Sequence, residues 1–192
     1  MWMVPGTVVQ VPQEEADGLE ARFSAMFLAG GVMLSQISHL TGLEPYTVQN
    51  WVKRGFLPPP EQKKYDLRQL CRILNINMLR SALPMEKICD LLSYVNGRLD
   101  DIADDIIDDA KLYFLFVRLA ARAGQWGEPE QWEAALEGAL ADYQEPVPGA
   151  KERVAKALRV MMTAWVAAQL RQRAENQLAQ LEKELKEKEN AI

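Results

Sequence analysis

The sequence predicts an all-α protein with a minor β-wing, and three observations carry that expectation. Strand signals are nearly absent, since Val8 to Val11 is the only β-branched run near the start. Nearly every other apolar segment recurs at a helical period. The ten prolines and eleven glycines cluster at a few places, so long segments between them stay uninterrupted.

Taken in order, Glu20 to Leu28 reads as a helix closed by Gly30-Gly31. Leu34 to Asn96 holds several short helices. Asp100 to Ala123 reads as one long helix, acidic at its start, where negative charge suits the helix dipole. Pro129 to Tyr143 reads as another, with Pro129 acceptable in a first turn. Pro146-Val147-Pro148-Gly149 is the clearest break. Lys151 to about Asn190 contains no Gly or Pro and reads as one helix roughly 60 Å long at 1.5 Å per residue. Four segments result: residues 1–33 with one helix, 34–95, a helical body over 96–145, and a long helix over 150–192.

Composition is ordinary for a globular chain, with 48% hydrophobic and 26% charged residues. The net charge of −5 argues against a polyanionic partner, but its distribution reverses that. Residues 34–96 carry eight Lys/Arg against five acids, and residues 97–149 carry four against twelve. A basic segment joined to an acidic body suits a nucleic acid at one end only. Cys71 and Cys89 form no disulfide framework and no metal-binding pattern, so a reducing, cytoplasmic setting is expected. The N-terminus has no basic start, and the apolar run Phe23 to Leu34 is too short for a membrane span of about 20 residues.

The informative stretch runs from Leu34 to Gly55. Ser35 is a candidate cap for a first helix whose inner face is Ile37 and Leu40. Gly42 ends it in a tight turn where a positive φ is cheap. Leu43 plugs the gap, and Pro45 opens a second helix with Val48, Trp51 and Val52 inward. Two short helices joined by a Gly-containing turn make a helix-turn-helix. The second presents Tyr46, Thr47, Gln49, Asn50, Lys53 and Arg54 outward. Gln and Asn can pair with adenine, Thr can touch a thymine methyl, and Lys or Arg can bind guanine or phosphate. An ordinary helical hairpin with a polar face is the competing reading.

Gly55-Phe56-Leu57-Pro58-Pro59-Pro60 then forces an extended chain. Glu61-Gln62 is expected at the tip of a small wing, and Lys63-Lys64-Tyr65 at its return. Asp66 caps a third helix to about Arg80, with Leu70, Ile73 and Leu74 inward. Pro84 starts a fourth, Met85 to Tyr94, with Ile88, Leu91 and Leu92 inward.

The order Thr-Gly-Leu-Glu-Pro-Tyr-Thr-Val, Trp-Val-Lys-Arg-Gly-Phe-Leu-Pro-Pro, Lys-Lys-Tyr-Asp and Leu-Pro-Met-Glu-Lys-Ile-Cys-Asp-Leu-Leu resembles the DNA-binding head of MerR-family transcription regulators. Residues from about 20 to 123 are similar to a bacterial family of short MerR-like proteins of unassigned function. The resemblance implies a cytoplasmic, sequence-specific regulator that binds double-stranded DNA as a homodimer and reads an inverted repeat. It also implies major-groove contacts from Tyr46, Thr47, Gln49 and Asn50, and backbone contacts from Lys63 and Lys64. Gln49 stands where that family commonly has Arg, the wing opens with three prolines, and the family's metal-sensing cysteines have no counterpart.

Leu158, Met161, Trp165 and Ala168 follow alternating steps of three and four, resumed by Ala174, Leu178, Leu181 and Leu185. Leu158, Met161, Trp165, Leu178, Leu181 and Leu185 are therefore expected to line a dimer seam. Pairing is favoured for the end of this helix, and packing on the chain's own body for Val160 to Ala168. Glu182/Lys186 and Glu184/Lys188 add ion pairs at i,i+4.

Three other constellations compete. Asp100, Asp101, Asp104, Asp105, Asp108 and Asp109 resemble the magnesium-diphosphate motif of isoprenoid enzymes, but that function needs a second acidic cluster on a facing helix, none with convincing spacing is seen, and a solvated helix start is the favoured reading. Tyr113, Phe114, Phe116, Trp126 and Trp132 could line a pocket for a small-molecule effector, or simply form core. His39 reads as structural or surface, and both cysteines as small hydrophobes. No nucleophile elbow, phosphate loop or zinc motif occurs, so no enzymatic activity, metal or cofactor is expected. The runner-up functions are a helical protein–protein adaptor and an Asp-rich magnesium-dependent enzyme.

Overall fold

The computed structural model describes residues 1–97, 99, 105–123 and 129–189. The chain is mostly helical. It opens with a two-stranded hairpin, β1 (Trp2–Met3) against β2 (Gln10–Val11), in antiparallel register Trp2 to Val11. A 3-10 turn over Gln13–Gly18 leads into α1 (Leu19–Met26). Then follow β3 (Val32–Met33), α2 (Leu34–Thr41), α3 (Pro45–Lys53), β4 (Lys64–Tyr65), α4 (Leu67–Leu79), α5 (Met85–Asn96), α6 (Asp109–Ala123), α7 (Pro129–Ala139) and α8 (Ala150–Glu189).

The core is organised on α4, whose side chains are buried almost all round, as suits a central helix. Leu70, Ile73 and Leu74 are wholly covered, as are Cys71 and Ile76 on other faces. Helices α2, α5, α6 and α8 pack around it. Asp66 starts α4 by accepting the Gln69 backbone N–H (2.7 Å), while the Gln69 side chain accepts the Asp66 N–H (2.9 Å). That reciprocal pair satisfies two of the donors a helix N-terminus leaves open. The four segments read from the sequence share one core among the described residues, running from Trp2 to Trp165.

The N-terminal hairpin is held by that core. Gly6 sits at φ +74°, and a Cβ there would meet the Leu74 carbonyl oxygen at 2.5 Å. Asn77 donates to the Gly6 carbonyl (2.9 Å) and to the Thr41 carbonyl (3.2 Å), tying the hairpin to the end of α2. Tyr113 donates to the Pro5 carbonyl (2.8 Å).

Three expectations change here. Helix α6 starts at Asp109, not at Asp100. The Asp108 carboxylate accepts the N–H groups of Ala110 and Lys111, both at 2.9 Å, and so caps the helix. Just before it, Ile106 and Ile107 are buried in non-helical backbone, the Ile106 N–H donating to the Val95 carbonyl. Asp100, Asp101 and Asp104 lie outside the described residues.

The aromatic cluster is core rather than a pocket. Tyr113, Phe114 and Phe116 are buried, with Phe114 edge-on to both Phe23 and Tyr113, and Phe116 edge-on to Trp165. Edge-to-face packing of this kind fills space rather than leaving it open. Trp132 is half-buried, and Trp126 lies outside the described residues. Two open grooves of about 770 and 710 Å³ contain none of Tyr113, Phe114, Phe116 or Trp132.

The long helix is divided. From Ala150 to Trp165 its inner face packs on α4, α5 and α6. Leu158, Met161 and Trp165, expected on a dimer seam, are buried within the chain at 0, 0 and 3% exposure. Val160, expected to pack, is 46% exposed. Every described side chain from 171 to 187 is exposed. Ion pairs on this distal part join Arg171 to Glu175 and Lys183 to Glu187 rather than Glu182 to Lys186. The Lys188 side chain lies outside the described set. Among the described residues no helix is long and apolar enough to cross a membrane.

Candidate nucleic-acid interface

The α2–α3 pair is built from a short turn that only a few residue types fit. Gly42 closes α2 at φ +70°, its N–H donating to the Ser38 carbonyl. A Cβ there would also meet the Val8 side chain at 2.9 Å, so the position excludes side chains twice over. The Thr41 hydroxyl donates to the Ile37 carbonyl (2.7 Å) and accepts the Leu43 N–H (3.2 Å), which sets the path of the turn. Val8 braces the same end from outside, its N–H donating to the Leu40 carbonyl.

Ile37, Leu43, Val48 and Trp51 are buried and fix how the two helices cross; Leu40 and Val52 are half-buried. Ser35 is not the cap of α2. The helix begins one residue earlier, at Leu34, and the Gln36 side chain accepts the Met33 N–H (2.8 Å). Pro45 opens α3 with a φ already suited to a first turn.

The opposite side of α3 is open. Tyr46 is 70% exposed, Gln49, Asn50 and Lys53 are exposed, and Thr47 is half-buried. Arg54 is exposed but engaged: its guanidinium lies 3.3 Å from the Glu86 carboxylate and 4.5 Å from the centre of the Phe56 ring. Lys53 and Lys63 have no ion pair among the described residues. Among the described residues no element covers this face.

The wing differs from its expected form. Its tip is Gln62-Lys63, not Glu61-Gln62. Both residues adopt left-handed backbone, φ 47° and 64°, and the Lys64 N–H donates to the Glu61 carbonyl (2.8 Å). That is the geometry of a tight two-residue turn matched to strand twist. The returning strand β4 pairs with β3, Val32 opposite Tyr65 and Met33 opposite Lys64, rather than with the proline run. Three prolines offer no N–H to a ladder. Lys63 stands at the tip, while Lys64 reaches back and donates to the Ala29 carbonyl (3.2 Å).

Two side chains of α4 hold the proline run in place, and sequence reasoning missed both. Gln69 donates to the Pro58 (3.2 Å) and Pro59 (2.8 Å) carbonyls. Arg72 donates from Nε to the Phe56 carbonyl (2.8 Å), and its other arm lies 3.2 Å from Asp109. Polar residues on a helix whose apolar residues point to several sides were the available signal, since such groups are buried only with partners.

The Asp cluster is spent on structure where it is described. Asp105 pairs with Arg68 (2.7 Å), Asp108 caps α6, and Asp109 is buried against Arg72. Burial pushes the Asp109 carboxyl above its ordinary range, with Arg72 opposing. No group of three or more His, Cys, Asp or Glu among the described residues is placed to hold a metal ion. His39 is exposed near the end of α2. Burial raises both the Cys71 and Cys89 thiols, Cys71 strongly.

Residues 32–116 match the family described as a domain of unknown function (DUF1836). That stretch begins at β3 and ends within α6, so it contains the α2–α3 pair, the wing, α4 and α5. The chain is also similar to the Uncharacterized protein YkrK of Bacillus subtilis (strain 168), 31% identical over 86 residues. The similarity covers 43% of this chain and 37% of that relative's length. No solved structure matches the chain.

Proposed function

We propose that this protein is a sequence-specific DNA-binding transcription regulator, and that α2, α3 and the β3–β4 wing act as a MerR-like winged helix-turn-helix. One observation carries the reading: the polar face of α3 stands clear of the chain's own body. A hairpin kept only for packing has no reason to leave Tyr46, Gln49, Asn50 and Lys53 together in solvent on a helix fixed by Val48 and Trp51.

In this reading Gln49 and Asn50 read base edges in the major groove, adenine being the natural partner of either amide. Tyr46 and Thr47 border them at the N-terminal end, where recognition helices commonly approach bases. Lys53 and Lys63 neutralise phosphates. Arg54 reaches a phosphate only by leaving Glu86, so it adds less than a free arginine. Lys64 steadies the wing through Ala29. Two copies set two such helices at a fixed spacing and read an inverted repeat. With Leu158, Met161 and Trp165 committed to the body, Leu178, Leu181 and Leu185 remain for pairing.

Selection from a random duplex library with the purified chain tests the proposal. Enrichment of one motif, lost when Gln49 and Asn50 are both changed to Ala, supports it. No enrichment at low salt defeats it and favours the adaptor reading, for which the exposed leucines of α8 are the supporting observation.

A further inference from the structure

We infer that Glu86 limits how strongly the chain binds DNA of any sequence, by holding the Arg54 charge neutralised where α3 ends. The inference rests on the DNA-binding reading above and adds what sets the strength of that binding.

Arg54 directly follows α3, and its backbone N–H donates to the Asn50 carbonyl (2.9 Å). Its side chain therefore starts from the helix that presents Gln49 and Asn50. It lies back along the chain. The guanidinium is 4.5 Å from the centre of the Phe56 ring and 3.3 Å from the carboxylate of Glu86, in the first turn of α5. A guanidinium carries five N–H donors, and the Glu86 contact uses one. What Glu86 withholds is charge rather than donors.

The two side chains are 50 and 68% exposed, so the pair counts for little in stability. Its place matters more. A phosphate that reaches Arg54 comes close to the Glu86 carboxylate, well inside the roughly 10 Å over which exposed like charges repel at about 0.1 M salt. The duplex therefore meets a neutral pair where the sequence shows an arginine.

Arg54, Arg68, Arg72 and Lys87 each stand against a carboxylate, and of these Arg54 is the one beside the polar face of α3. Lys53 and Lys63 have no ion pair among the described residues. Each neutralised phosphate contributes about 0.9 to the salt slope, so these two give about −1.8 per copy. Freeing Arg54 adds a third. Phosphate contacts carry no sequence information. By cancelling one cation, Glu86 leaves a larger share of the affinity to Gln49 and Asn50.

Glu86 has a second use, since a carboxylate in a first turn suits the helix dipole of α5. Removing the charge separates the two. The dipole contribution is lost as stability, whereas the restraint on Arg54 is lost as a gain in DNA affinity.

The test measures binding of the full chain to a duplex with one selected half-site and to a scrambled duplex of equal length, over a salt series. Glu86→Gln should bind both at least about threefold more tightly at about 0.1 M salt and steepen the salt slope by about 0.9. Glu86→Ala should do the same without an amide that could itself donate to phosphate. A thermal melt should show both variants folded and no more stable than the wild-type chain. With Arg54→Gln in place, Glu86→Gln should leave the salt slope where it was. Unchanged or weaker binding in both Glu86 variants overturns the inference. So does a gain confined to the selected duplex, or a slope that steepens without Arg54. In each of these cases a wild-type preference for the selected duplex keeps the DNA-binding reading standing. If the wild-type chain binds neither duplex at low salt, both fall.

Discussion

The Arg72 guanidinium lies 3.2 Å from the Asp109 carboxylate, with the two side chains 5 and 7% exposed. Through this pair α6 holds α4, and through the Nε bond to the Phe56 carbonyl α4 holds the chain that leaves α3. A buried charge stripped of its partner costs far more than the pair gains. Arg72→Met should therefore destabilise the protein by about 3–5 kcal/mol, measured by denaturant unfolding. Adding Asp109→Leu should recover a large share of that loss. If the double variant is no more stable than the single, the pair is not what α6 and α4 depend on.

The same pair carries a pH dependence with a definite sign. Burial raises the Asp109 carboxyl above its ordinary 3.8, so the folded chain binds that proton more readily than the unfolded chain does. The group's contribution to stability is greatest at low pH and falls as pH rises through the window above 3.8. Arg72 opposes the shift, so Arg72→Met should steepen this fall. Its loss of stability should be larger at neutral pH than at mildly acid pH in parallel denaturant titrations.

Two glycines with nearly equal φ separate strain from collision. Gly55→Ala, at φ +75° with nothing within 4 Å of a Cβ, should cost only the left-handed backbone term, about 1–2 kcal/mol. Gly6→Ala, at φ +74°, adds a collision with the Leu74 backbone and should cost clearly more. Equal melting temperatures for the two variants would mean that the hairpin yields without loss.

On the proposed interface, Gln49→Ala or Asn50→Ala should relax sequence choice by about 1–3 kcal/mol at the position read. Lys63→Ala should weaken all duplexes alike and lower the salt slope by about 1. Filter binding against matched and mismatched duplexes over a salt series distinguishes these. Uniform loss from all three variants would contradict the division of labour.

Asp108→Ala should cost about 0.5–2 kcal/mol, the usual range for a helix cap, because two N–H groups lose their acceptor. Asp108→Asn, which keeps an acceptor oxygen, should retain much of that stability in the same melt.

Much of the local structure was readable from residue type alone. Gly42, Pro45 and Asp66 each admit few backbone conformations or satisfy specific end groups, so they mark boundaries wherever they fall. Ile37 and Leu40, Val48 and Trp51, and Leu70, Ile73 and Leu74 recur at helical spacing, with Leu43 plugging the turn, and burying those residues is what sets α2, α3 and α4. Asp100 to Ala123 misled because charge at a helix start fits the dipole anywhere along an acidic run. What begins α6 at Asp109 is the Asp108 cap, preceded by two isoleucines buried in non-helical backbone.

The sequence by itself determined most of the helical segments, though not where α6 begins, and which side of α3 is polar, because both follow from periodicity and short-range bonding. Only the tertiary structure decided that this side is left open and that β4 joins β3. It also decided that Leu158, Met161 and Trp165 serve the monomer while Leu178, Leu181 and Leu185 do not. An apolar stripe on a helix states that something must cover it; which surface does so depends on where the rest of the chain reaches.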